Sequence, residues 1–199
     1  MNGLYEQAMW PEPFTILKRR LRPFSFGHYI ILKRFNVCYA NDDEKPLTIE
    51  DLVFSVYVCS HSYKECETLF YSGKWFDEVY EWSKEFSTEP SLEQAADEFR
   101  RYLDHHTIYP LFKNLNNDRS TSKSNGEIYE KIISTVASKQ NYKRDDVLEL
   151  NYARVMYEYL SYMEQQGAIS FYSKQDFINL EKFKASMMTI VEQEKTTNG

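Results

Sequence analysis

The segment Asp145–Gln166, DDVLELNYARVMYEYLSYMEQQ, sets the strongest constraint on how this 199-residue chain folds. Leu148, Tyr152, Val155, Tyr159 and Tyr162 recur in alternating steps of four and three, which places them on one stripe of a helix. Met156, Leu160 and Met163 widen the stripe, while Asn151, Arg154, Glu158, Ser161 and Gln165 fill the opposite side, and Gly167 stops the helix. A helix with so broad an apolar and aromatic face has to bury it, against its own domain or against a partner.

The rest of the chain also reads as helices. Glycine and proline number only six each, which disfavours a turn-rich β architecture. Ser25 is an N-cap signal for a helix to about Phe35, and Thr48-Ile-Glu-Asp51 resembles a capping box opening the apolar helix Leu52–Cys59. That helix has little polar surface and is expected at the centre of the core. Ser62 is placed to cap Tyr63–Tyr71, ended by Ser72-Gly73, and Trp75–Phe86 follows. Ser91-Leu-Glu-Gln94 is a capping box for a helix to about His106, stopped or bent by Pro110. Ile128–Ser138 and Phe177–Glu194, the latter capped by Ser173, complete the set.

The expected fold is therefore mainly all-α, an irregular multi-helix bundle with an extended or short-strand N-terminal arm. The arm covers residues 1–24, where Pro11, Pro13 and Pro23 argue against one continuous helix. A helical core is expected over 25–113, and a flexible linker or loop over 114–126, NLNNDRSTSKSNG. Residues 127–195 are expected as a C-terminal helical part packing on the core.

Composition narrows the partner classes. The net charge of −6 hides a basic N-terminus, because residues 1–40 carry six Lys and Arg against Glu6 and Glu12. The acidic remainder gives no support for nucleic-acid binding. The basic cluster reads as a solvated rim pairing with acidic helices downstream, or as a docking patch for an acidic partner such as a second copy. No apolar run reaches the ~18–20 residues of a membrane span, and the first residues lack the order of a secretory signal. Cys38, Cys59 and Cys66 form an odd set without metal-ligand spacing and read as reduced thiols.

Catalytic patterns are weak. GxSxG, Walker-type, GxGxxG and HExxH signatures do not occur, and no cofactor or metal is expected. Asp104-His105-His106 resembles part of a metal-dependent phosphoesterase signature, but adjacent histidines on a helix point about 100° apart. A hydrolase would require at least two of His28, His61, His105 and His106 to converge in a pocket with a carboxylate.

Contact with another protein is the better-supported role. In Leu21-Arg-Pro-Phe-Ser-Phe-Gly-His28, a sharp helix entry, Phe24 and Phe26 pack a structural corner, or Arg22, Phe24 and Phe26 anchor a second chain. Tyrosine is both apolar and hydrogen-bonding, so Tyr157 and Tyr162, which flank the C-terminal stripe, are the other interaction candidates.

The order LRPFSFGHYIILKR over 21–34, then DLVFSVYVCS over 51–60, resembles an uncharacterised family of small proteins from tailed bacteriophages and prophages. There an RP-(F/Y)-(S/T)-x-G-H corner precedes an apolar helix ending near Cys-Ser or Cys-Ala. Residues 146–154, DVLELNYAR, with the aromatic helix and Gly167 after them, are similar to the family's C-terminal part. The resemblance implies a tail assembly chaperone-like role, binding the tape-measure protein or another tail component in the bacterial host cytoplasm. A structural virion component, such as a tail or head completion protein, is the alternative, and homo-oligomerisation is compatible with either.

Overall fold

Ser25, Thr48 and Ser62 each hold the extended backbone of an N-cap, and each side chain accepts a hydrogen bond from the N–H three residues on. Helices start at all three. The computed structural model describes residues 13–37, 48–86, 92–115 and 125–173. The helices among them are α1 (Phe26–Arg34), α2 (Ile49–Ser60), α3 (Tyr63–Ser72), α4 (Lys74–Phe86), α5 (Leu92–His106), α6 (Asn125–Gln140), α7 (Arg144–Glu149) and α8 (Tyr152–Gln165). Two antiparallel strand pairs accompany them, β1 (Thr15–Ile16) with β2 (Arg19–Arg20) and β3 (Phe112–Asn114) with β4 (Ile169–Phe171). The chain is mainly helical, as expected. The capping box expected at Ser91 and the helix expected over Phe177–Glu194 lie outside the described residues.

One compact unit takes Met1–Tyr109 and Ser120–Tyr159, a second Pro110–Arg119 and Leu160–Gly199. Asn114 belongs to β3, and α6 and α7 fall in the first unit. In the first unit, α2 is the central element. Every residue from Leu52 to Cys59 is buried, and α1, α4, α5 and β2 pack around it. The β1–β2 hairpin covers one end, its turn made by Leu17 and Lys18 at φ 49° and 59°. Positive φ at both turn residues gives the twist a two-residue hairpin needs.

The single helix expected over Asp145–Gln166 is two. Leu150 is extended at ψ 149°, ending α7, and α8 restarts at Tyr152. The cause is tertiary: the Phe26 N–H donates to the Leu150 carbonyl and the Tyr152 N–H to the Phe24 carbonyl, both at 2.9 Å. Asn151 then caps α8, its Oδ1 accepting from the Ala153 N–H at 2.9 Å. Two strand-like bonds to the Pro23–Phe26 corner thus replace bonds a continuous helix would make.

In the second unit, β3 faces β4 with Phe112 opposite Phe171 and Asn114 opposite Ile169. Gly167, at φ +69°, turns the chain out of α8, and the Ala168 N–H reaches the Met163 carbonyl at 3.0 Å. This is Schellman-type closure at the glycine expected to end the helix.

Candidate functional site

The RPFSFGH corner is built into the core. Phe24 and Phe26 are buried, Phe26 stacked on Tyr152 at 5.9 Å and Phe24 edge-on to Tyr102 at 6.0 Å. They are therefore packing residues rather than anchors for a second chain, because no face of either ring is left to offer. Full burial of each contributes about 1.5–3 kcal/mol. Arg22 divides its roles. Its N–H donates to the Cys59 carbonyl at 2.8 Å and its carbonyl accepts from the Tyr102 hydroxyl at 2.8 Å. Its guanidinium lies at the surface, 3.1 Å from Glu65. Arg19 likewise meets Glu85 at 3.1 Å, so the basic hairpin pairs with acidic helices of the same chain.

The histidines are tied to the backbone. His28 is the third residue of α1 and closes its capping box, Nδ1 accepting from the Ser25 N–H at 3.2 Å. Its Nε2–H donates to the His61 carbonyl at 2.8 Å, so one neutral tautomer satisfies both bonds. Burial lowers its pKa from 6.5 to about 4, with the His61 bond opposing the shift and the Arg22 charge reinforcing it. His61 donates from Nδ1 to the Tyr57 carbonyl at 2.9 Å, and His106 from Nδ1 to the Tyr102 carbonyl at 2.8 Å. Burial also brings His106 down to about 4. His105 and His106 have ring centroids 5.1 Å apart, packed against Phe14 rather than around a carboxylate. Among the described residues no group of three or more His, Cys, Asp or Glu is placed to hold a metal ion. Cys59 and Cys66 are buried free thiols, and burial pushes the Cys66 thiol up to about 12.

Tyr157 and Tyr162, the candidates on α8, are half-buried. The most exposed large rings stand elsewhere. Phe35 is 43% exposed, Tyr71 99%, Phe76 64% and Tyr80 56%. Phe35 and Tyr71 line a groove of about 940 Å³ between the end of α1, α3 and the start of α4, floored by Ile31, Phe70 and Trp75 and edged by Arg34 and Glu67. Phe35 lies 5.5 Å from both Phe70 and Trp75, and Phe76 meets Trp75 edge-on at 5.7 Å. Phe35, Phe70, Trp75 and Phe76 thus form one continuous aromatic surface from α1 to α4.

The walls of this groove are firmly held. Glu65 completes the capping box of α3, accepting from the Ser62 N–H at 2.6 Å. The Glu149 carboxylate accepts from the N–H groups of Tyr63 and Lys64 at 3.3 and 2.8 Å. The first amides of α3 are therefore matched by carboxylates, which the helix dipole favours. Gly73 at φ +72° then allows the sharp step into α4. Two more contacts seat α4: Tyr57 donates its hydroxyl to Glu78 at 2.6 Å, and Arg19 lies 4.3 Å over the Trp82 ring.

A signal for this surface is present in the sequence. Trp75, Val79, Trp82 and Phe86 follow one helical stripe and account for the buried face of α4. Phe76 and Tyr80 fall off it, among Asp77 and Glu81, where polar residues would suffice. In comparisons with protein-family models, curated proteins and solved structures, nothing matched the chain.

Proposed function

We propose that this chain is a non-catalytic binding module that holds a helical segment of another protein in the Phe35–Tyr71–Trp75 groove. The exposed aromatic surface carries the reading. Single exposed apolar residues are ordinary, whereas a contiguous aromatic patch beside a groove marks an interaction site. The groove suits the ridge of an amphipathic helix, whose apolar residues one turn apart would fill it. No helix among the described residues is long and apolar enough to cross a membrane.

The kind of partner rests on the phage resemblance carried by residues 21–34, 51–60 and 146–154. On that basis the chain is a tail assembly factor. Its client is a phage tail component, foremost the tape-measure protein, held in the host cytoplasm before assembly. Co-expression with a phage tape-measure protein tests this. The wild-type chain co-purifies with the client, and a Phe35→Ser, Tyr71→Ser double variant of unchanged circular dichroism loses it. Equal recovery with both would remove the groove as the docking site. Stable retention of the chain in mature particles would favour a structural virion role instead.

A further inference from the structure

The groove of α1, α3 and α4 lies beside an exposed ridge of α4. Phe76 and Tyr80 stand one helical turn apart on that helix, 64% and 56% exposed. Phe76 meets edge-on, at 5.7 Å, the Trp75 ring that floors the groove, yet neither ridge residue belongs to the groove's lining. Apolar residues one turn apart are what such a groove takes from a helix. One surface of the chain therefore carries both a groove and a ridge of the kind that fits it.

The charges match as well. The groove is edged by one cation, Arg34, and one carboxylate, Glu67. The ridge is flanked by one of each, Lys74 and Asp77, in the first turn of α4. All four are exposed, and among the described residues none of the four is in an ion pair. Lys84 and Glu81, at the Tyr80 end of the ridge, instead pair with each other at 2.9 Å. A groove with one charge of each sign gains little from a strongly basic or strongly acidic occupant and suits one that is balanced in the same way. A two-fold rotation meets both requirements at once, because in an isologous interface every contact is made in both directions.

We infer that two copies of this chain pair through this face, the Phe76–Tyr80 ridge of each seated in the Phe35–Tyr71–Trp75 groove of the other. Arg34 then meets the partner's Asp77, and Glu67 the partner's Lys74. The inference rests on the docking reading above, which makes the groove a binding surface, and adds its regulation: a second copy closes the groove until a client displaces it. A ridge of two rings on each side makes a small contact of the weak, transient class, with a dissociation constant on the order of 10 µM. A pair of that strength forms in concentrated protein and yields to a tighter client. It also covers a contiguous aromatic patch that would otherwise invite indiscriminate association.

Sedimentation velocity of the full chain over a concentration series reads the pairing. Between about 1 µM and about 100 µM the mass should rise from that of one chain towards twice that value. Phe76→Ser, at an exposed position outside the groove's lining, should stay monomeric throughout with unchanged circular dichroism. Asp77→Lys and Arg34→Glu should each weaken pairing at least ~10-fold, and both changes in one chain should recover most of it, since each reversed charge then meets a reversed partner. A chain still monomeric at ~100 µM overturns the inference, as does a dimer indifferent to Phe76→Ser that shows no recovery in the double charge reversal. A labelled peptide with Leu and Phe at helical spacing, followed by fluorescence anisotropy, keeps the two readings apart. Phe76→Ser should bind it at least as tightly as wild type, and the Phe35→Ser, Tyr71→Ser variant should not bind it. Peptide binding to a chain that never pairs overturns the second copy and leaves the groove standing. Pairing as described, with no peptide bound by wild type or Phe76→Ser, overturns the client reading and leaves the groove as a contact between copies.

Discussion

A methyl group added at Gly27 sets two opposed effects against each other at one carbon. Ala is the better helix former, so propensity alone predicts a gain of about 0.5–1 kcal/mol in α1. Space predicts the opposite. A Cβ at position 27 would lie 2.3 Å from Tyr63 Cδ2, 2.6 Å from Tyr63 Cγ and 2.8 Å from the Leu148 carbonyl oxygen. Carbon atoms in good contact sit about 3.5–4.0 Å apart, so the Tyr63 ring would have to withdraw by more than about 1 Å. It begins α3, whose first amides are fixed by Glu149, and the Leu148 carbonyl belongs to α7. Neither wall is the free end of a flexible side chain. Overpacking of this kind costs about 1–3 kcal/mol, and with a backbone wall the upper part of the range applies. The net expectation for Gly27→Ala is a loss of about 2 kcal/mol, which at a urea slope of ~2 kcal/mol/M lowers the midpoint by about 1 M. Urea unfolding followed by tryptophan fluorescence measures it. A midpoint unchanged or raised would refute the close approach of α1 to α3 and α7 on which the corner is built.

Two further perturbations probe the same region. The fold holds His28 neutral while the unfolded chain takes up a proton near pH 6.5, so its contribution is complete above pH 6.5 and is lost as pH falls towards 4; a shift from 6.5 to about 4 is worth about 3 kcal/mol. Urea midpoints at pH 7 and pH 4.5 should differ by this amount plus a like share from His106, also lowered to about 4, and His28→Gln should remove about half of the difference; an unchanged pH slope in that variant would mean His28 carries none of it. Asn151→Ala removes the cap from Ala153 and should cost about 1 kcal/mol by thermal unfolding, and no loss would show that the bonds from the Phe24–Phe26 corner hold the break alone.

What the sequence discloses and what it conceals divide along the range of the interactions. Ser25, Thr48 and Ser62 act within three residues of themselves, and each helix start they signal is present. The buried character of Leu52–Cys59 follows equally from its own residues. The break at Leu150–Asn151 does not, because Leu148, Tyr152 and Val155 keep helical spacing across it, and the bonds that open it come from residues far earlier in the chain. Only Asn151, a residue suited to N-caps, hints at it locally. The β3–β4 pair joins segments more than fifty residues apart and has no local cue. At the corner, the aromatic residues indicate burial and binding equally well, and packing against Tyr102 and Tyr152 decides for burial. The exposed rings of α4 were legible as residues off the helical stripe, but the groove beside them exists only once α1, α3 and α4 are brought together.

Hydrogen–deuterium exchange on a complex with the proposed tape-measure client tests the docking surface most directly, because it reports where the partner sits without altering the chain. Amides of the α3 C-terminal turn and of the start of α4 around Trp75 should gain protection on binding, together with the end of α1 near Phe35. Protection confined to α8 around Tyr157 and Tyr162, with α3 and α4 unchanged, would contradict the assignment and return the interface to the tyrosine helix.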